Sequence, residues 1–150
     1  MKKINKEFAR KIYAIRQKQL KRGSKEKNLI AWVEDHRLRS GKGKALVFIL
    51  PTKGCSWALS KSGGCSICGY LYDNPQNVDF ESMISKFKET VKSKITSDSI
   101  YSVKLFTSGS ILDKREMPDE VLQKMLEILN KYDQIKEIVC LLYTSPSPRD

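Results

Sequence analysis

An α/β fold built on a parallel sheet is predicted for these 150 residues from three observations. Ala45-Leu-Val-Phe-Ile-Leu50 is a short apolar run closed by Pro51, which marks a strand buried on both faces. Ser99–Phe106 is a second such run, rich in β-branched and aromatic residues. Between them, from Asp79 to Lys94, Phe80, Met83, Ile84, Phe87 and Val91 recur at helical spacing. Strand, helix and strand in that order make a parallel crossover. The length allows one domain.

The flanks extend this pattern. Pro118 suits the start of a helix, and Val121, Leu122, Met125, Leu126 and Leu129 form its stripe. Ile135–Val139 begins a third strand. Upstream, Asn5–Arg22 is expected to be a helix docking through Phe8, Ile12 and Ile15, with Asn5 as its cap and Gly23 as its end. Leu29–Val33 is either a short helix or extended, with Trp32 as a buried anchor. Glu34–Arg39 is charged, and Ser40–Lys44 is expected to be a flexible turn. It lacks the spacing of a phosphate loop and precedes a strand where such a loop follows one. The chain thus divides into a basic helical arm at 1–44, an α/β core at 45–139 and a tail at 140–150.

Charge separates the arm from the core. The formal net charge is +11, and residues 1–44 hold fifteen Lys/Arg against four Asp/Glu, so the whole excess lies there. A localised basic surface is the footprint of a polyanion partner, nucleic acid first; a solvated lysine-rich helix would show the same composition. No apolar stretch is long enough to span a bilayer, and the basic N-terminus lacks the apolar core of a signal peptide. A cytoplasmic protein with reduced thiols is therefore expected.

Chemistry concentrates in Cys55-Ser-Trp-Ala-Leu-Ser-Lys-Ser-Gly-Gly-Cys65-Ser-Ile-Cys68-Gly-Tyr70. The first strand would deliver it at its carboxyl end, where α/β folds place their sites. Three thiolates can hold three irons of a cubane cluster and leave the fourth iron open to a chelating small molecule. Cys65-x-x-Cys68 also suits zinc, though the only histidine, His36, lies far upstream and is read as a surface or hydrogen-bonded residue. A disulfide is the third reading of the residues alone. The second strand ends in Thr107-Ser-Gly-Ser110, where hydroxyls flank a bare backbone that can offer acceptors to an ammonium; an ordinary strand-to-helix turn uses the same residues. Asp113 and Glu116 follow, either as ligand contacts or as carboxylates favouring the next helix start.

Cys-x9-Cys-x2-Cys after a buried strand resembles the radical S-adenosylmethionine (SAM) enzymes with a long-spaced cluster loop, as in the Elongator catalytic subunit. More narrowly, Leu50–Ala58, Gly63–Tyr70 and Leu105–Pro118 resemble the archaeosine synthase radical SAM proteins, with the likeness running from Trp32 to Val139. The resemblance implies a partial (β/α) barrel of parallel strands, a [4Fe–4S] cluster on Cys55, Cys65 and Cys68, and SAM as cofactor. By the same likeness Ile67 would lie near the adenine with Gly69 and Tyr70 on the adjacent wall, Ser108, Gly109 and Ser110 would meet the methionine moiety, and Asp113 is counted among the cofactor contacts without a side assigned. It further implies a tRNA substrate, a lysine-modified deazaguanine cleaved at a carbon–nitrogen bond, held through the basic arm. The reductant protein is left unidentified and a partner subunit is allowed. Other substrates of the same subgroup, and a non-catalytic zinc-bearing RNA-binding module, are the competing readings. The tail Cys140–Asp150 resembles translated sequencing adapter, which would leave three native thiols and make this chain the front part of a longer enzyme.

Overall fold

In a computed structural model of the chain, the described residues are 6–20, 28–61, 64, 69–75 and 77–142. They form helix α1 (Lys6–Leu20), strands β1 (Ile30–Leu38) and β2 (Gly41–Ile49), the short helix α2 (Ser56–Leu59) and a 3-10 turn (Tyr70–Asp73). Helix α3 (Phe80–Lys94), strand β3 (Tyr101–Phe106), helix α4 (Asp119–Leu129) and strand β4 (Ile135–Cys140) follow.

The four strands lie in chain order in one sheet. β2 pairs with β3 and β3 with β4 in parallel, while β1 runs antiparallel to β2 over nine residue pairs. The expected α/β, mostly parallel architecture is therefore present. The hairpin was not foreseen. Residues 30–44, assigned by the sequence to the basic arm, build β1 and the start of β2. The two glycines taken as a flexible turn have separate structural reasons. Gly41 has φ +137°, which L side chains rarely adopt; a Cβ on Gly43 would stand 2.5 Å from the Ile100 carbonyl oxygen.

Alternation in the strands fixes which face is covered. Leu46, Phe48, Val103 and Leu105 join Met83, Phe87 and Val91 of α3 and Val121, Met125 and Leu129 of α4 in one core. The Phe48 and Phe87 rings lie 4.5 Å apart. Asp79 caps α3 by accepting from the Ser82 amide at 3.0 Å, as its position before the apolar stripe predicts. On the opposite face, Lys104 pairs with Glu34 at 2.9 Å, and the Trp32 indole donates to the same carboxylate at 3.1 Å. Trp32 is 39% exposed, so it is no buried anchor; its strand lies at the edge of the sheet, and it pairs with Val47 in register, on the face opposite the α3 and α4 core.

Helix α1 is present, but it docks differently from the expectation. Phe8 and Ile15 are more than half exposed, and Arg16 is its buried residue. Leu20, one turn after Arg16, packs on Cys55 and Ala58. Apolar spacing alone cannot reveal a helix that docks through a guanidinium. Asn5 and Gly23, its expected cap and end, lie outside the described residues.

Candidate functional site

The carboxyl ends of the neighbouring parallel strands β2 and β3 each open into a loop, and the two loops meet. From β2 the chain passes Leu50-Pro51-Thr52 to Cys55, with Gly54 at φ +100° turning it. Cys55 is 6% exposed and stands just before α2, whose short turn closes with the Leu59 amide on the Cys55 carbonyl at 3.1 Å. Cys65, Ile67 and Cys68 lie outside the described residues, so their part in a shared centre belongs to the proposal below. Among the described residues no group of three metal-binding side chains occurs.

From β3 the chain passes Thr107–Ser110 into a pair of tight turns. The Asp113 amide donates to the Ser110 carbonyl at 3.0 Å, and the Glu116 and Met117 amides donate to the Asp113 carbonyl at 2.8 Å. Glu116 is 1% exposed. One of its carboxylate oxygens accepts from the Ser110 amide at 3.0 Å and the other from the Thr52 hydroxyl at 2.9 Å. A buried carboxylate thereby joins the two loops. Burial pushes its pKa above the ordinary value, against the hydrogen bonds from Thr52 and Ser110 that pull it down.

A second tie runs through Asp113, which accepts from the Ser56 hydroxyl, next to Cys55, at 2.5 Å. Arg115 grips the same carboxylate with Nε and Nη2, both at 2.9 Å. The Arg115 guanidinium, and then the Ser56 hydroxyl, hold Asp113 at about 2, so it is ionised at neutral pH. Both of its oxygens are thus engaged within the protein.

Ser108 takes a third direction. Its hydroxyl and the Asn74 side chain exchange hydrogen bonds at 2.7 and 2.9 Å. Both line a cavity of about 450 Å³ with Leu50, Pro51, Tyr70, Asp73, Phe106 and Thr107. Its volume suits a small molecule, for which sites run from about 300 to 1,000 Å³. Tyr70 is 72% exposed at this cavity, and a Cβ on Gly69 would meet nothing within 4 Å. Gly109 and Ser110 are buried behind Ser108. A larger hollow of about 600 Å³ between α4 and β4 lies on the flank of the sheet, away from both loops, and holds none of these residues.

Of the residues singled out from sequence, Tyr70 and Ser108 share the cavity, Glu116 and Asp113 bind the loops together, Ser110 donates its amide to Glu116 within its own loop, and Cys55 sits at the base of its loop. Thr52, Ser56 and Asn74 were missed. Each is a small polar residue in a turn-rich stretch, and their partners are 64, 57 and 34 residues away, so no local pattern announces them.

Comparison with known proteins gives relatives of much greater length. The chain is 39% identical over 137 residues to an uncharacterized protein of Methanocaldococcus jannaschii, covering 88% of this chain and 37% of that protein. It is 32% identical over 109 residues to the archaeosine synthase subunit beta of Thermococcus kodakarensis, covering 72% of this chain and 33% of that subunit. It is 29% identical over 118 residues to the archaeosine synthase subunit beta of Methanosarcina acetivorans, covering 78% and 33%. The chain therefore spans about a third of the length of these relatives. No family model and no solved structure matches it. No helix among the described residues is long and apolar enough to cross a membrane. Over most of its residues the chain is similar to archaeosine synthase beta subunits, an archaeosine-synthase-like relationship.

Proposed function

We propose that this chain is the cofactor-binding portion of a radical SAM enzyme acting in archaeosine modification of tRNA. The observation that carries the reading is the juxtaposition at the carboxyl ends of β2 and β3. A loop with Cys55 at its base and Cys65-x-x-Cys68 to follow lies against a Ser-Gly-Ser loop, beside a cavity of small-molecule size. The beta-subunit relatives supply the direction toward archaeosine.

Cys55, Cys65 and Cys68 would hold the [4Fe–4S] cluster. The donor set fits: three sulfurs lie within fourteen residues, on a loop turned by Gly54 and Gly64 at positive φ, with open space at Gly69 beside the third cysteine. When bound, the cluster supplies the electron that opens SAM to a hydrogen-abstracting radical. The protein's own residues bind and orient. Ser108 and Asn74 offer hydroxyl and amide acceptors at the cavity wall to the ammonium of a methionine moiety. Tyr70 and Gly69 would offer an aromatic and open wall to an adenine, the group to which the resemblance also assigns Ile67. Glu116 and Asp113 act on these groups from behind, by fixing one loop against the other.

The tRNA would be held through its phosphates by the basic N-terminal portion, whose exposed cations include Lys6, Arg10, Lys11 and Lys18 of α1 and Arg37, Arg39 and Lys42 of the hairpin. A partner subunit, a separate reductant and a cytoplasmic setting complete the proposal, with the sheet as the start of a partial barrel.

The test is reductive cleavage of SAM. The anaerobically iron-loaded full-length protein, reduced with dithionite, is expected to yield methionine and 5′-deoxyadenosine, and its Cys65→Ala variant to yield neither. Equal yields from the wild type and Cys65→Ala would refute the enzymatic reading. A stoichiometric zinc protein without turnover would favour the RNA-binding module.

A further inference from the structure

Helix α1 turns its cations outward with one exception. Arg16 is 3% exposed, and its Nη1 donates to the Ala58 carbonyl at 2.8 Å. The same nitrogen would stand 2.5 Å from a Cβ placed on Gly64, a residue at φ +61°. Ala58 lies three residues after Cys55, and Gly64 immediately precedes Cys65. The guanidinium therefore lies between the two ends of the nine-residue spacer that separates the first two cysteines. Leu20, packing on Cys55 and Ala58, supports the contact from the same helix. Burying a guanidinium is costly unless its hydrogen bonds are met, so its insertion here calls for a structural return.

We propose that Arg16 is a positioning residue that clasps Ala58 to Gly64 and so fixes the described ends of the spacer between the first two cysteines before any metal is bound. The purpose rests on the cluster reading given above; the geometry does not. Because the clasp belongs to the basic helix, it also ties the cysteine loop to the element proposed to meet RNA. Gly64 has its own place in the clasp: any side chain there would meet Arg16, the Ala58 Cα and the Trp57 carbonyl oxygen within 3 Å.

The experiment uses the reduced, metal-free chain and a short bifunctional maleimide, with cross-links mapped by mass spectrometry. The Cys65–Cys68 cross-link is local and serves as the internal reference for Cys55–Cys65. Arg16→Gln is expected to lower the Cys55–Cys65 ratio about fivefold, the equivalent of one lost charged hydrogen bond of roughly 1 kcal/mol. Arg16→Lys keeps a donor and is expected to restore most of it, whereas Gly64→Ala lowers it as Arg16→Gln does. Lys18→Gln, on the exposed side of the helix, leaves the ratio unchanged. An Arg16→Gln ratio equal to wild type, or an equal fall in Lys18→Gln, overturns the proposal. If Arg16→Gln loses its far-ultraviolet circular dichroism, Gly64→Ala decides: a wild-type ratio there overturns the clasp. Iron uptake plays no part in this readout, so failure of the cluster reading would show separately.

Discussion

The two loops that meet at the top of the sheet are held in opposite ways. The loop after β3 organises itself: Ser110, Asp113, Arg115, Glu116 and Met117 bond to one another within eight residues. The cysteine loop after β2 includes short local bonds, Leu59 to Cys55 and Ser60 to Trp57. Its other described anchors come from outside: Arg16 on Ala58, Glu116 on Thr52 and Asp113 on Ser56. On the proposed cluster reading, such external anchoring would suit a loop that takes up a bulky inorganic group. Its described anchors are supplied in large part by neighbouring elements. The difference also explains why Asp113 and Glu116, which look like ligand contacts in the sequence, have carboxylates already engaged in the protein. They hold the other loop.

This contrast can be broken most severely at Glu116. Glu116→Ala removes the acceptor of two buried donors and is expected to cost about 3 kcal/mol in urea unfolding, at the upper end for an unsatisfied buried pair. A cost below about 0.5 kcal/mol would mean the loops do not depend on this tie. Thr52→Val keeps the side-chain shape and deletes one donor, so about 1 kcal/mol is expected, with the β3 loop left intact. Amide hydrogen exchange should then rise in the cysteine loop and not at Glu116 or Met117. A rise in both would show that the two loops share one source of order.

The two carboxylates should also differ in sign against pH. Asp113 is depressed to about 2, so its stabilising contribution is complete above its ordinary 3.8 and is lost as pH falls from about 4 toward 2. The stability gap between wild type and Asp113→Asn is therefore expected to close over that window; a constant gap would contradict the Arg115 and Ser56 contacts. Glu116 is raised by burial, so its contribution is complete below the ordinary 4.5 and declines as pH rises through the shifted value. Glu116→Gln should remove that decline. Ser56→Ala has the smallest expected effect, about 0.5–1 kcal/mol, since Arg115 still satisfies Asp113.

Legibility in the sequence followed the same divide between local and distant causes. Helices α3 and α4 and strands β3 and β4 fall within one or two residues of expectation, because an Asp79 cap, a proline and long apolar stripes are local signals. Strand β1 was only half read, its start left as either a short helix or extended at Leu29–Val33, because it is an edge strand whose Glu34, Asp35 and Arg37 are exposed, so charge masks its pairing with β2. Helix α1 was found, but its docking face was not, since Arg16 is buried by a carbonyl 42 residues away. At the site, the cysteine spacing and the Ser-Gly-Ser turn were visible as motifs. The ties between them were not, because Thr52, Ser56 and Asn74 acquire meaning only once β2 and β3 lie side by side.

The most direct measurement is the metal content of the chain after anaerobic reconstitution with iron and sulfide, followed by electron paramagnetic resonance of the reduced sample with and without SAM. About four irons and four sulfides per chain are expected, with a signal that SAM perturbs and that Cys55→Ala abolishes. One tightly held zinc per chain, with iron and sulfide washing away and no spectral response to SAM, would contradict it.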